Sequence, residues 1–257
     1  MKNLNQKTAV ILCGGRGTRL GSLSKKIPKS MVKINNYPII WFIIKNLIKN
    51  SFNHLILPVG YKGDVIKRFV QQQPDLKNID IEIVDTGKDA NIAKRIFLIK
   101  NRIRSKNFLL MNGDVIFDFN LKKIYSDHEK NSNSLTFLGC ENQLPYGTIG
   151  IINKKIINFE RNITFNSVRT KKNLKFTAYV YSGMSILDKK LLNINFKNFK
   201  NFEKQLFPKI IKKFKCDFRD FKGFWHSIDN MKDIDDTQKK NNLKKFNEIR
   251  KIIKKIK

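Results

Sequence analysis

A loop of glycines and arginines is the stretch of this chain whose residue types could do chemistry. It reads CGGRGTR over residues 13–19 and ends an apolar run, residues 9–13, that predicts a buried strand. Glycines let the backbone approach a ligand closely and expose consecutive N–H groups, and arginines add fixed positive charge. The surroundings lack acids, since Asp64 is the first acidic residue of the chain. The loop therefore predicts a binding site for a polyphosphate.

The whole chain is strongly basic, and this charge needs interpretation. Its 257 residues carry 52 Lys and Arg against 21 Asp and Glu, a formal charge of +31. Such a balance is typical of proteins that bind nucleic acid, membrane surfaces or anionic substrates. The basic residues are spread throughout together with Asn and Ile, however, as a compositional bias would spread them. The charge gives weak support to an anionic ligand, and we expect no nucleic-acid partner.

The cysteines and the apolar runs indicate a cytoplasmic protein. Cys13, Cys140 and Cys216 are too few and too widely spaced for a disulfide framework or a zinc site. Residues 1–7 are polar and lack the apolar region of a signal peptide. The longest apolar stretch, residues 37–44, is far shorter than the roughly 20 residues of a membrane span. We expect a reduced, cytoplasmic protein without stable membrane insertion.

Strands and helices alternate in the first half of the chain, where they must position the loop. Apolar runs of strand length end in polar signatures and are followed by helical periodicity. The predicted strands cover 9–13, 31–34, 54–59, 78–84 and 108–111, and the predicted helices cover 36–50, the residues after 63, 90–100 and 121–131. This order predicts an α/β fold with a parallel sheet, and ligands in such sheets bind at the carboxyl ends of the strands.

The second half of the chain has a different texture. Short strand-like pieces and one amphipathic helix follow each other, the strands at 134–140, 148–152, 156–159, 176–187 and 216–221 and the helix at 202–214. We expect them to complete or flank the first sheet, so that residues 1–238 form a single domain. Residues 239–257 predict a basic amphipathic helix packed on it, with a membrane surface or a subunit contact as the alternative.

Two common phosphate-binding motifs do not fit the glycine loop. No glycine is followed five residues later by the Gly-Lys of a P-loop. The dinucleotide fingerprint G-x-G-x-x-G fails at Leu20, and no acid lies about 20 residues further on to hold a ribose. The residues GGRGTRL at 14–20 and PKSMVKI at 28–34 resemble instead the opening signature of the sugar-phosphate nucleotidyltransferases. These enzymes join a sugar 1-phosphate to a nucleoside triphosphate and release pyrophosphate.

Later motifs extend the resemblance in the order of the family, from residue 8 to about residue 235. GYKGDVIK at 60–67, and DTG at 85–87 with Arg95, are similar to the glucose-1-phosphate cytidylyltransferase branch. Asp114 after Gly113 matches a metal-binding aspartate at a strand end. GFW at 223–225 with Asp229 looks like the closing motif, whose aspartate supplies the second metal ligand. The resemblance implies a Rossmann-like α/β/α sandwich with a mixed, mostly parallel sheet, of the nucleotide-diphospho-sugar transferase type.

The resemblance also implies roles for individual residues. A sugar 1-phosphate is already anionic at neutral pH, since its second pKa lies near 6, so the reaction needs positioning and charge neutralisation rather than a protein base. Arg19 and Lys29 are implied as catalytic, and Asp114 and Asp229 as ligands of a Mg²⁺ cofactor. Glu160 and Gly183 are implied to bind the sugar phosphate. The implied nucleotide-binding residues are Leu12, Cys13, Gly14, Gly15, Gly17, Thr18, Arg19, Arg95 and Gly113.

Several of these motifs bear on which base the protein accepts. The branch resemblance favours CTP, for surface polysaccharide or related glycan synthesis. Residues 92–94 are Ile-Ala-Lys where that branch has Thr-Gly-Gly, and Val115 replaces its glycine. A GTP-using mannose- or heptose-1-phosphate guanylyltransferase is therefore one alternative, and a diverged, non-catalytic nucleotide-sugar-binding protein is another. The expected partners are a nucleoside triphosphate and a sugar 1-phosphate, with a homo-oligomer left open.

Overall fold

A sheet of seven strands with helices on both faces organises the protein, as seen in a computed structural model. The structure describes residues 6–34, 36–143, 147–161, 164–165, 167–169, 175–220, 223–237, 239, 244–245, 248–249 and 251. All statements below concern these residues.

The strands and helices follow in this order. The strands are β1 Thr8–Leu12, β2 Lys33–Ile34, β3 Tyr37–Pro38, β4 His54–Val59, β5 Asp80–Asp85, β6 Asn107–Asn112, β7 Val115–Phe117, β8 Leu135–Cys140, β9 Asn142–Gln143, β10 Gly147–Ile152, β11 Lys155–Arg161, β12 Thr164–Phe165, β13 Ser167–Arg169, β14 Lys175–Thr177, β15 Val180–Asp188, β16 Cys216–Asp220 and β17 Trp225–Ser227. The α-helices are α1 Ile39–Lys49, α2 Gly63–Gln72, α3 Ile92–Ile99, α4 Leu121–Lys130, α5 Phe202–Lys213 and α6 Met231–Thr237. Short 3-10 helices cover Thr18–Lys25, Lys29–Met31, Pro74–Leu76, Lys100–Arg102 and Lys189–Asn193.

The seven-stranded sheet is mixed but mostly parallel. Its strand order is β16-β8-β15-β6-β1-β4-β5. Every neighbouring pair is parallel except the two made by β15, which runs antiparallel to β6 and to β8. All six residues of β4 are buried, as expected for a strand that is covered on both faces and reads as a continuous apolar run.

Alternate side chains of β1 enter two separate cores. Ala9 and Ile11 belong to the core that includes α1, α2 and α4, whereas Val10 belongs to the core that includes α3 and α5. Alternation of this kind is the direct result of the two-residue period of a strand. The result is three layers, helix, sheet and helix, with the carboxyl ends of β1 and β6 next to each other.

Asparagine N-caps fix the start of the two helices nearest the site. The side-chain oxygen of Asn91 accepts a hydrogen bond from the backbone N–H of Lys94 at the start of α3, and that of Asn201 accepts from Lys204 at the start of α5. Such a cap contributes about 1 kcal/mol to helix stability. The caps define where both helices begin, at the edge of the sheet that carries the glycine loop.

A small ribbon beside the main sheet joins distant parts of the chain. β7 and β17 pair antiparallel, with Val115 opposite Ser227. The pairing continues beyond the strands, since the N–H of Ile228 donates to the carbonyl of Asp114 at 3.1 Å. The Trp225 indole donates to the carbonyl of Ser182 at 3.0 Å and so ties the ribbon to β15. The ribbon therefore holds the residue before β7 against the residues that follow β17.

The predicted α/β fold class is confirmed, and most predicted elements appear within two residues of their expected bounds. Residues 31–34 are not one strand, however. Lys29–Met31 forms a 3-10 turn after Pro28, in which the N–H of Val32 donates to the carbonyl of Lys29, so only Lys33–Ile34 is free to pair. The run 176–187 is also divided, since β14 ends at Thr177 and β15 begins at Val180.

Two further expectations concern the chain's end and the membrane. The predicted helix over 239–257 falls almost entirely outside the described residues and stays a prediction. Among the helices that the structure describes, none combines the length and the apolar character needed to cross a membrane.

Candidate active site

A cavity of about 520 Å³ opens at the carboxyl ends of β1 and β6. One wall is the glycine loop that follows β1, and another is the turn that follows β6. The remaining wall, called the far wall below, is built by the loop before α3 and by the start of α5. Its lining residues are Leu12, Cys13, Gly14, Gly15, Gly17, Lys29, Ser30, Ala90, Asn91, Ile92, Arg95, Asn112, Gly113, Asp114, Lys200, Asn201, Phe202 and Glu203.

The turns after β1 and β6 touch each other where side chains are absent. The N–H of Gly113 donates to the carbonyl of Leu12 at 3.1 Å, and a Cβ on Gly113 would lie 2.7 Å from that oxygen. A Cβ on Gly14 would lie 2.1 Å from the guanidinium carbon of Arg95. Gly113 must therefore be glycine, because the atom in the way belongs to the backbone. A side chain on Gly14 would displace the buried Arg95 guanidinium.

Arg95 reaches from α3 and supports the glycine loop from below. It is 4 % exposed, and its guanidinium donates to the carbonyl of Gly14 at 2.8 Å, to the carbonyl of Val59 at 2.9 Å and to the Thr86 hydroxyl at 2.6 Å. Burial lowers the pKa of Arg95. The guanidinium donates to three protein oxygens, and Arg95 therefore supports the glycine loop from the wall of the cavity.

Lys29 joins the two aspartates that the sequence singles out. Its ammonium donates to Oδ2 of Asp114 and, at 2.8 Å, to Oδ1 of Asp229. The β7–β17 ribbon brings the two carboxylates together, because Asp114 precedes β7 and Asp229 follows β17. Arg19 lies at the rim, 78 % exposed, with Nη1 3.8 Å from Oδ1 of Asp229. Three of the predicted chemical groups thus form one cluster, with a fourth beside it.

The pKa values of the two carboxyl groups in the cluster shift in opposite directions. Burial raises the pKa of the Asp114 carboxyl, against the opposing pull of the Lys29 ammonium. Burial acts on Asp229 in the same sense but is outweighed by the hydrogen bond from Lys29, so the pKa of Asp229 is lowered. Burial disfavours the charged form of Lys29, yet the Asp114 and Asp229 carboxylates raise its pKa. At neutral pH Lys29 is therefore a firmly charged ammonium.

One oxygen of the cluster points to a further cation. Oδ1 of Asp114 is buried and has no hydrogen-bond partner among the described residues. A buried carboxylate oxygen without a partner is costly, and a hard divalent ion prefers oxygen ligands of this type. The nearby Asp233 already uses one carboxylate oxygen, because its Oδ2 accepts the backbone N–H groups of Asp229 and Asn230. Asp114 and Asp229 fit a metal site.

A second acidic group lies at the opposite edge of the sheet. In the described part of the chain, His54, Asp80 and Glu82 are the His, Cys, Asp or Glu side chains whose ligand atoms all come within 4.8 Å of one another. Arg104 bridges Asp80 and Glu82 at 2.6 Å each, and Arg102 contacts Glu82 at 2.8 Å. Two arginines already supply the positive charge, so this group is an ion-pair network at the amino ends of β4 and β5.

Three predicted residues are not among those that line the cavity in the described part of the chain, although Gly183 lies against the lining residue Asn112. Thr18 lines a separate shallow hollow with Arg16 and Tyr61. Gly183 lies in β15, where the register with β8 shifts. The backbone of Glu160 belongs to β11 and pairs with Thr148, but its side chain is not among the described residues. The predicted binding roles of Thr18, Gly183 and Glu160 stay predictions.

The far wall of the cavity was not predicted from the sequence. It consists of Ala90, Asn91 and Ile92 and of the segment 200–203. The Asn91 amide donates to the carbonyl of Phe199 at 3.0 Å and so joins the two parts. The asparagine caps were the available signal, since they mark helix starts at the sheet edge where ligands bind. They do not reveal which helix starts face each other.

Comparisons with known proteins show the family of the chain. The family model for nucleotidyl transferases matches residues 8–242. A probable glucose-1-phosphate cytidylyltransferase of Bacillus subtilis is 27% identical over 246 residues, which cover 88% of this chain and 92% of that protein. A D-glycero-alpha-D-manno-heptose 1-phosphate guanylyltransferase of Campylobacter jejuni is 31% identical over 188 residues, which cover 72% of this chain and 77% of that protein.

A solved structure shows the same fold. HddC from Yersinia pseudotuberculosis, complexed with GMP-PN, superposes with a TM-score of 0.65 at 23% identity, covering 89% of this chain and 96% of that chain. The mixed, mostly parallel sheet is that of the nucleotide-diphospho-sugar transferase fold. The cluster of Lys29 with Asp114 and Asp229 lies beside the glycine loop of that fold. The chain belongs to the nucleotidyl transferase family, among the sugar-phosphate nucleotidyltransferases.

Proposed function

We propose that this protein transfers a nucleotidyl group from a nucleoside triphosphate to a sugar 1-phosphate and releases pyrophosphate. The observation that carries the proposal is the contact of the Lys29 ammonium with both Asp114 and Asp229 in the cavity that the glycine loop lines. One cation and two carboxylates next to a phosphate-binding loop suit phosphoryl transfer, where positioning and charge neutralisation dominate.

The glycine loop and the two basic side chains divide the phosphates between them. The backbone of Gly14, Gly15 and Gly17 binds the triphosphate, and Arg19 reaches its outer phosphates from the rim. Lys29 lies between the α-phosphate and the incoming sugar phosphate and lowers the repulsion between the two anions. No protein base is required, because the attacking oxygen of the sugar phosphate is already charged at neutral pH.

Asp114 and Asp229 are the residues that would hold a divalent cation, which is Mg²⁺ in this proposal. Members of this family typically use a divalent metal. The support from this chain is the unpartnered buried Oδ1 of Asp114 next to the partly exposed carboxylate of Asp229. The ion, when bound, supplies positive charge to the phosphate oxygens. Glu160 and Gly183 complete the site as sugar-phosphate contacts.

The base that the enzyme accepts is either cytosine or guanine. The sequence motifs favour CTP, and the Bacillus subtilis relative is named a probable cytidylyltransferase. The Campylobacter jejuni relative is named a guanylyltransferase, and the Yersinia pseudotuberculosis structure holds GMP-PN. Both bases stay in the proposal at this level.

Release of pyrophosphate is the direct test. The protein is incubated with Mg²⁺, each of CTP, GTP, UTP and dTTP, and a panel of sugar 1-phosphates, and phosphate is measured after hydrolysis by inorganic pyrophosphatase. We expect turnover with one pair and loss of turnover in Asp114→Ala. The matched control is Asp127→Ala, which removes a partly exposed aspartate paired with Lys123 on α4. Nucleotide binding without turnover by any pair would support a non-catalytic nucleotide-sugar-binding protein instead.

The cellular setting follows from the reaction. The nucleoside triphosphates are cytoplasmic, so we place the protein there, in the synthesis of a surface polysaccharide or related glycan. Residues 1–238 form the transferase domain in this proposal, and residues 239–257 form a basic helix packed on it. Light scattering would decide between a monomer and a homo-oligomer.

A further inference from the structure

Lys29 leaves the backbone directly beside the glycine loop. The turn that carries it is closed by the N–H of Val32, which donates to the carbonyl of Lys29 at 3.1 Å. A Cβ built on Gly17 would lie 3.2 Å from the Cβ of Lys29 and 3.7 Å from its Cγ. The backbone of Lys29 is therefore fixed against the loop, and its flexible four-carbon stem decides which partner the ammonium reaches.

The ammonium of Lys29 joins two carboxylates. It donates to Oδ2 of Asp114 and, at 2.8 Å, to Oδ1 of Asp229. The other oxygen of Asp229 accepts the Ser227 hydroxyl at 3.1 Å, whereas that of Asp114 is buried and has no hydrogen-bond partner among the described residues. The side chains of Lys29 and Asp114 are only 18 % and 19 % exposed, so salt and water screen their contact little.

These contacts conflict with the roles that the proposed function gives to the same side chains. Asp114 and Asp229 carry two negative charges, and the Lys29 ammonium neutralises one of them. A divalent cation held by both carboxylates would share their charge with the ammonium, and two cations at such a site repel each other. An ammonium also has three donors, two of which are used here, so it cannot hold two carboxylates and two phosphates at once. Lys29 therefore has two sets of partners and can serve one set at a time.

We propose that Lys29 competes with the divalent cation for Asp114 and Asp229 and moves to the phosphates when the cation displaces it; this rests on the proposed function. The ammonium stays within reach of the phosphate loop, because its stem packs beside Gly17. The exchange couples the two ligands, since phosphates offer the ammonium a new partner and so leave the carboxylates to the ion. By linkage, the ion strengthens the contact of Lys29 with the nucleotide to the same extent.

Mn²⁺ binding without nucleotide tests the competition. Lys29→Met keeps the stem of the side chain and removes its charge, which leaves both carboxylates to the ion. We expect the dissociation constant for Mn²⁺, measured by an electron paramagnetic resonance titration, to fall by about tenfold or more, because a like charge beside the site is removed. The matched control is Arg19→Met, which removes a cation 3.8 Å from Asp229 at the exposed rim. It should change the dissociation constant by less than about threefold, since an exposed charge is screened.

Three results of this titration would overturn the proposal. Equal or weaker Mn²⁺ binding by Lys29→Met would show that the ammonium arranges the carboxylates for the ion. Equal tightening in Arg19→Met would assign the effect to net charge alone. Lys29→Arg keeps the positive charge at the carboxylates, so it should bind Mn²⁺ no more tightly than wild type, and tighter binding would contradict the competition.

Calorimetry with CTP and GTP tests the movement of the ammonium to the phosphates. If the ion frees Lys29, the nucleotide affinity lost in Lys29→Met should be at least about fivefold greater with Mg²⁺ than without it. An equal loss under both conditions would refute the movement. Pyrophosphate release by wild type remains a separate measurement. Turnover together with unchanged Mn²⁺ binding in Lys29→Met would leave the transfer standing and the exchange refuted, whereas tighter Mn²⁺ binding without turnover by any pair would do the reverse.

Discussion

Removal of the Arg95 guanidinium should both destabilise the protein and loosen the glycine loop. In Arg95→Met the carbonyl of Val59 keeps two donors, the backbone N–H and the hydroxyl of Thr86. The carbonyl of Gly14 loses the donor that the structure gives it. A buried acceptor left unsatisfied costs about 1–3 kcal/mol, and a charged donor is at the upper end of that range. Because the methionine stem retains much of the packing, we expect a net loss of about 2–3 kcal/mol in the free energy of unfolding.

The assay compares two arginines of different surroundings. Urea unfolding of Arg95→Met is measured beside Arg68→Met, whose guanidinium forms an exposed pair with Asp64 one helical turn away. An exposed pair of that spacing contributes about 0.3–0.5 kcal/mol, so the control should lose no more than that. Calorimetry should also show weaker triphosphate binding by Arg95→Met, since its loop has lost a support.

Two results would contradict this reasoning. If Arg95→Met loses no more stability than Arg68→Met, the three short contacts of the guanidinium do not hold the loop. If stability is unchanged while triphosphate affinity falls sharply, Arg95 contacts the nucleotide directly, as the sequence motif implies. Arg95→Lys gives a further check, because an ammonium cannot serve three acceptors in the geometry of the guanidinium.

Three further predictions address charge. Lys29→Ala should lower kcat by about 10²-fold or more at unchanged unfolding free energy, measured by pyrophosphate release, because it removes the cation between the two phosphates; a loss under about threefold would contradict that role. Asp114→Asn should weaken Mn²⁺ binding by at least about tenfold in an electron paramagnetic resonance titration, since a neutral amide replaces one of two carboxylates; equal affinity would exclude Asp114 as a ligand. Burial lowers the pKa of His128 from 6.5 to about 4, so the unfolded chain binds more protons than the folded protein between these pH values. The free energy of unfolding therefore decreases as the pH is lowered, by about 2 kcal/mol from pH 7 to pH 5. His128→Asn should flatten that dependence in urea unfolding, whereas an unchanged slope would assign it to other groups.

The sequence predicted those parts of the site that depend on short-range patterns. Apolar runs ending in glycines identified β1, β4 and β6 and the loops after them, because strand burial and loop geometry depend on residues that are close together in the sequence. Asp114 and Lys29 were predicted through the resemblance of the motifs around them to the sugar-phosphate nucleotidyltransferases. The pairing of β7 with β17 was not predicted, since each strand has three residues and no periodicity can identify so short a segment. The hydrogen bonds of Arg95 to the carbonyls of Gly14 and Val59 could not be predicted from the sequence either, because they depend on how α3 packs against the loop.

The far wall of the cavity is a second feature that could not be predicted from the sequence. The helix α5 was predicted over nearly its true length, from its apolar face. Its first turn gave no hint of lining a cavity, because Glu203 sits in an ordinary position for an acidic residue at a helix start. Only the packing of α5 beside the loop before α3 places that glutamate in the wall of the cavity.

The β7–β17 ribbon also determines when the site can exist during synthesis. Lys29 meets Asp114 after 85 residues of chain but meets Asp229 only after 200. All seven strands of the main sheet end at or before Asp220 and so leave the ribosome before Asp229 does. At about 5–20 residues per second, the second carboxylate follows the first by on the order of ten seconds. A nascent chain can therefore complete its sheet while the proposed catalytic cluster still lacks Asp229.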